Sequence, residues 1–296
     1  MSRPHRRLTA VHEGSSTAFD ESDPRWLTRP RWPRSYTRYL GRQFLRFLLT
    51  VQGLGAFVLI TLGVMFRKAR VARGVIHPLT LAHIARSGLH LLPLTTFLSL
   101  ALGLLVIGQT VSLLSRVGAN DLLGAVMVTV VVRELGPMLA ALLVLSRTGT
   151  ANVVELGTAR ALGEVEALEV LGIDPIHYLV VPRVIGMAVG IFSLTVYLIL
   201  GALVSGYLWA FIQDVPLLPG DYFRQLAGAL SGLDFALLTL KSCLFGAVIA
   251  VVTCYHGLAQ PLTIGDVSSA TVGAVGQCIV FCALFDALFL VIYLVS

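Results

Sequence analysis

The chain has 296 residues, 56% of them hydrophobic and only 13% charged, with a mean hydropathy of +0.84; a soluble domain carries roughly 25% charged residues. This composition excludes a soluble enzyme and marks an integral membrane protein, and the long unbroken apolar runs point to the all-α class. Formal charge is +6, unevenly divided: residues 1–73 hold 14 Lys/Arg against 4 Asp/Glu, and the remaining 223 hold 8 against 12.

A basic arm on an apolar chain marks the cytoplasmic side and its anionic leaflet. No aromatic-interleaved pattern accompanies it, so no nucleic-acid partner is expected. Residues 1–35, with Pro4, Pro24, Pro30 and Pro33 among Ser, Asp and Arg, read as a mobile cytoplasmic tail without a signal-peptide core, leaving the first span as its own insertion signal. Phe47–Phe66 is long enough to span, yet Arg34, Arg38, Arg42 and Arg46 precede it and Arg67, Lys68, Arg70 and Arg73 follow. A crossing would put one basic cluster outside. The flanks therefore favour an interfacial helix over residues 36–66, with a true span as the alternative.

Five apolar segments follow, at about 88–114, 122–145, 184–212, 235–255 and 271–295, each able to cross a core of roughly 30 Å. Between the second and third, residues 150–172 hold Glu155, Arg160, Glu164, Glu166 and Glu169 and end in Gly172–Pro175. They read as one polar helix on the cytoplasmic surface. Alternation of sides then leaves the C-terminus outside. Cys243, Cys254, Cys278 and Cys282 lie within spans and read as small apolar packing residues. Gly186/Gly190, Ala202/Gly206 and Gly246/Ala250 give helices small faces, for packing within the chain or along a dimer seam.

Four charges fall inside spans. Arg133 and Glu134 lie in the second, Lys241 in the fourth and Asp286 in the fifth. Each costs about 2.5–3.5 kcal/mol if left alone at the bilayer centre, so a buried network Arg133–Glu134–Lys241–Asp286 of zero net charge is expected, structural or functional in role. No G-x-x-x-x-G-K-[ST] loop, H-E-x-x-H pair or G-x-S-x-G elbow is present. The chain is read as a transport subunit, not an enzyme, with no catalytic residues, metal site or cofactor of its own.

The run RELGP at Arg133–Pro137, the following S-R-T-G-T-A-x-x-x-E-L-G-T-x-R, then ALEVLGIDP and YLVVPR resemble the Mla/Mce-type permease family, MlaE-like membrane subunits of ABC transporters that move lipids. The resemblance extends from about Gly41 to the end, through the Gly103–Gln109 run, Leu240–Ser242, Ser269–Thr271 and the residues around Asp286. It implies an N-terminal interfacial helix, five spans and a coupling helix between spans two and three, over residues 36–296. It implies a homodimer in the bacterial inner membrane, a separate ABC ATPase holding ATP and Mg, and MCE-domain subunits on the outer face. Glu155, Arg160, Glu164 and Glu166 then become candidates to meet the ATPase, with Gly157 allowing close approach.

A phospholipid cannot cross water unaided, since exposing two chains of roughly sixteen carbons costs around 25 kcal/mol at about 0.8 kcal/mol per CH₂. It needs an apolar path between protomers. Leu104, Leu105, Ile107 and Gln109 of the first span and Leu135, Met138 and Leu139 of the second are the lining candidates, beside the alternative of plain helix packing. Arg133 is placed to meet a phosphate headgroup or to pair with Asp286. Two other classes remain: an ion-coupled secondary transporter, active without an ATPase, and a structural membrane subunit that anchors a partner complex.

Overall fold

The computed structural model describes residues 34–67, 73–118, 123–212, 219–258 and 263–295. Residues 1–33 of the N-terminal tail, and residues 213–218 between the third and fourth apolar segments, lie outside these. The chain divides into two compact units, Met1–Thr50 and Val51–Ser296. In the first, the described residues are helical from Arg34 onward. Everything below concerns the second.

Helix α1, Arg34–Arg67, carries the shorter apolar stretch Thr50–Met65. Five helical segments are long and apolar enough to cross a membrane: α2 (Ile76–Leu114), α3 (Gly124–Ala161), α5 (Ile176–Ile212), α7 (Gly232–Leu258) and α8 (Val267–Tyr293). Two short helices complete the set, α4 (Glu164–Val170) between α3 and α5 and α6 (Pro219–Ala229) before α7. No strand occurs among the described residues. The expected all-α membrane architecture is the one observed.

The spans begin and end differently from the hydropathy reading, for identifiable reasons. α2 begins twelve residues earlier than 88 because Arg86 is neutralised by Glu155 at 2.8 Å. Its ladder breaks at Gly88–Leu91, a 3₁₀ turn, because Pro93 has no amide to give the Leu89 carbonyl. α5 likewise starts at Ile176 and not 184, since Arg183 is buried and paired with Glu155 at 3.2 Å.

The larger correction concerns the polar segment. Residues 150–172 are not one surface helix: α3 runs from Gly124 to Ala161, with π turns at Val128–Leu135 and Leu145–Gly149, and Gly163, at φ +77°, ends it. The face bearing Asn152, Val153, Leu156 and Gly157 is buried, packed on α7 and α8. α4 then stops at Gly172 (φ +74°) in a Schellman arrangement, with the Ile173 amide donating to the Leu168 carbonyl and the Gly172 amide to the Glu169 carbonyl, both 3.0 Å. Two residues later Asp174 accepts the Ile176 amide at 3.0 Å, and Pro175 sits where its missing N–H is not needed. The sequence G-I-D-P thus ends one helix and starts the next.

α5 runs through the middle, against α2, α3 and α7, while α7 also packs on α8 and on the polar end of α3. The small residues serve these contacts. A Cβ on Gly246 would come within 2.5 Å of the Ala188 backbone, and one on Gly103 within 2.4 Å of the Ala202 carbonyl. Close approach within the chain therefore accounts for Ala202/Gly206 and Gly246/Ala250. Cys254, Cys278 and Cys282 are buried in the same packing.

Candidate functional site

RELGP has a backbone logic as well as a charge. In an α-helix the Arg133 carbonyl would accept the amide of residue 137, and residue 137 is proline. The helix widens into π turns over Val128–Leu135, just before this proline. The carbonyl is taken instead by a side chain from another helix: Lys241 Nζ donates to it at 2.8 Å.

Lys241 is completely enclosed. Its ammonium carries three protons: it donates to the Arg133 carbonyl and to Glu134 Oε2 at 3.3 Å, and forms an ion pair with Asp286 Oδ1 at 2.7 Å. α3, α7 and α8 are pinned together at this point. By residue count it lies about 13 Å, nine residues, into α7 from the end that carries α6.

Arg133 itself is turned elsewhere, which corrects the expected pairing with Asp286. Successive helical residues diverge by about 100°, so with Glu134 directed at Lys241 the guanidinium faces a different neighbour. Its Nε lies 2.9 Å from Asp234 Oδ1, and its Cζ is 4.9 Å from the centre of the Tyr293 ring, within range for a cation–π contact. Asp234 is only 3% exposed. Its other oxygen accepts the Ser231 amide at 2.9 Å, so Ser231–Asp234 forms the return half of a capping box at the start of α7. The cluster therefore has five charged members, two cations and three carboxylates. Asp234 is not among the four charges expected from the sequence; its S-x-x-D spacing from Ser231 ahead of an apolar run is the signal that identifies it. Nearby, Tyr222 of α6 donates to the Leu203 carbonyl at 3.1 Å, and burial pushes its phenol up to about 12.

The expected lipid-lining residues divide. Leu104, Leu105 and Gln109 are exposed and Leu135, Met138 and Leu139 half-buried. Ile107 is neither: it is 1% exposed and sits over Gly206, whose Cβ would come within 2.4 Å of it. It is a packing residue.

The expected ATPase contacts divide too. Glu155 is held between Arg86 and Arg183. Arg160 donates to the Leu258 carbonyl and lies 3.8 Å from Glu166. Gly157 is buried, and its amide nitrogen lies 3.5 Å from the place a Cβ on Gly257 of α7 would take. Glu164 and Glu166 are exposed on α4. Around them Leu162, Val170, Leu171 and Ile173 are also exposed, Val170 to 88%.

Comparison with known proteins agrees with this architecture. The family model described as Permease MlaE matches residues 80–292. A probable ABC transporter permease protein of Rickettsia felis is 30% identical over 240 residues, 80% of this chain and 89% of the relative. Another of Synechocystis is 37% identical over 163 residues, 53% of this chain and 60% of the relative. The Arabidopsis thaliana protein TRIGALACTOSYLDIACYLGLYCEROL 1, chloroplastic, is 30% identical over 70% of this chain and 59% of its own length. All of α3, with its charged cluster and its polar end, lies inside the matched region. The chain belongs to the MlaE permease family and is an ABC transporter permease of that family.

Proposed function

We propose that the chain is the membrane subunit of a phospholipid transporter in the bacterial inner membrane, driven by a separate ATPase and completed by a second copy of itself and by MCE-domain subunits on the outer face. The observation that carries this reading is the continuity of α3. One helix runs from the Arg133–Glu134 cluster through π turns at Leu145–Gly149 to Ala161, and Gly163 connects it to the exposed α4 turn. Movement imposed at Leu162–Ile173 reaches the buried charges along this helix.

α4 offers an ATPase the features of a docking segment: four exposed apolar side chains at Leu162, Val170, Leu171 and Ile173, rimmed by Glu164, Glu166 and Glu169. The basic arm puts the N-terminus in the cytoplasm. Two crossings later α4 lies on that same side, and the C-terminus lies outside. ATP and Mg belong to the partner. The name of the Arabidopsis relative contains a glycerolipid, which supports a glycerolipid as cargo here.

Charge reversal tests the docking: Glu164→Lys with Glu166→Lys should abolish co-purification of an ATP-binding subunit while leaving the permease monodisperse. Isolation of the unaltered chain with no such subunit would overturn the proposal. Mass spectrometry of lipid retained by the complex identifies the cargo class, and sterols or free sugars in place of phospholipid would refute that part.

A further inference from the structure

Between α1 and the bundle there is a cavity of about 340 Å³, separate from the charged cluster. Leu54 and Val58 of α1, Val248 and Val252 of α7 and Phe281 and Phe285 of α8 contribute to its wall. No charged side chain lines it, and Thr61 is its one polar lining residue. Thr61 is 3% exposed, and its hydroxyl has no hydrogen-bond partner among the described residues. Unpartnered hydroxyls in apolar surroundings are costly and uncommon.

The lining follows one face of α1, from Leu54 to Met65 at spacings of four, three, one and three residues. That stripe extends about 16 Å along the helix axis. A methylene occupies nearly the share of a liquid water molecule, about 30 Å³, so the space holds on the order of eleven methylenes. The site is thus long, apolar, of ligand-pocket size and carries one unsatisfied hydroxyl. Toward the Leu54 end of this stripe α1 is fixed to the bundle. Phe57 meets Tyr255 edge-on at 5.8 Å, and a Cβ on Gly53 would strike the Tyr255 hydroxyl. Toward the other end Leu59, Ile60 and Leu62 are exposed. Beyond them Arg67, exposed, occupies the last turn of α1.

We infer that this cavity seats one acyl chain of an ester-linked membrane phospholipid as a resident wedge between α1 and α7/α8. The chain fills the groove from Thr61 toward Leu54. Its ester carbonyl accepts the Thr61 hydroxyl, and its phosphate lies toward Arg67, about 9 Å further along the helix. Such a lipid is a structural ligand of a single protomer. It is distinct from cargo moving between protomers, and its binding needs neither nucleotide nor an ATPase.

Photolabelling tests this with the full chain in bilayer nanodiscs of phosphatidylcholine doped with a phosphatidylcholine bearing a mid-chain diazirine. The expected result is labelling of peptides 54–65 and 244–252 several-fold above that of the outward α8 residues Val272 and Leu284. Val248→Trp should remove the excess, and the milder Ala247→Met should halve it in protein that still elutes as one species. Even labelling along α8 and α1, or labelling unchanged by both filling variants, would overturn the site. Thr61→Val should weaken labelling by the ester-linked probe and leave an ether-linked analogue unaffected; equal loss of both would refute the carbonyl contact. Labelling that appears only with the ATPase and ATP present would reassign the chain to cargo and overturn residency.

Discussion

Two ion-pair clusters lie on the same helix, α3, and they are built on opposite terms. Near the α6 end, one cation, Lys241, is enclosed completely and meets the Arg133 carbonyl and two carboxylates. At the polar end, one carboxylate, Glu155, sits between Arg86 and Arg183 while 47% exposed. In the first, protein atoms replace the whole hydration of the ammonium, so each acceptor is indispensable. In the second, water reaches Glu155 and Arg86, while Arg183 is buried. The same interaction type therefore fixes the fold at one end of α3 and leaves the other end adjustable.

The largest effect expected from this contrast is at Lys241. Lys241→Met leaves Glu134, Asp286 and the Arg133 carbonyl facing one another without a donor, and removal of one partner from a buried set costs about 3–5 kcal/mol. The yield of monodisperse protein and its melting temperature in detergent should both collapse. Adding Glu134→Gln and Asp286→Asn should recover part of the loss. If Lys241→Met melts like the parent, the enclosed cluster is not a structural lock.

Asp234→Ala comes next, because it removes both a helix-capping acceptor and the partner of Arg133. Loss of a cap costs about 0.5–2 kcal/mol, and the stranded guanidinium adds to this. Asp234→Asn separates the two effects, since an amide oxygen can still accept the Ser231 amide but cannot neutralise Arg133. Melting should fall less for Asn than for Ala. Equal falls would assign the whole effect to charge.

Pro137→Ala probes the origin of the lock. Alanine restores an amide that competes with Lys241 for the Arg133 carbonyl and removes the cause of the widened turns. Stability should change by about 1 kcal/mol or less, because an intrahelical hydrogen bond is gained as the lysine contact is weakened. Transport should fall further than stability does, and the Arg133 carbonyl should report the exchange in isotope-edited infrared spectra.

The five spans were legible because hydropathy is summed over some twenty residues and tolerates local error. Their ends were not, since Arg86 and Arg183 read as boundaries until Glu155, distant in sequence, is seen to neutralise them. The union of Glu134, Lys241 and Asp286 was anticipated from the expense of each charge alone. The direction of Arg133 depends on helix phase around Pro137, which a list of charges does not contain. Asp234 was overlooked because an acid at a span edge passes for a loop residue, although its three-residue distance from Ser231 marked it as a cap. The buried face of Thr150–Ala161 was hidden by its polar composition.

The smallest expected effect is at Glu155, and it tests the other half of the comparison. Glu155→Gln removes one negative charge from between two arginines, but Arg183 keeps its bond to the Leu179 carbonyl at 2.8 Å and Arg86 is half exposed. The exposed Arg86–Glu155 pair contributes about 0–1 kcal/mol, weakened further by a screening length of about 8 Å at physiological salt, and the half-exposed Glu155 keeps the Arg183 pair in partial contact with water. A melting shift at the low end of that range is expected, shrinking as salt is raised. Because Glu155 is engaged inside the chain, co-purification of an ATPase should survive this substitution while reversal at Glu164 and Glu166 abolishes it. A salt-independent loss as large as that of Lys241→Met would show that the polar end of α3 is as rigid as the enclosed one. Motion arriving at α4 would then have to pass through α3 as a rigid rod, with no compliance near Glu155 to absorb it.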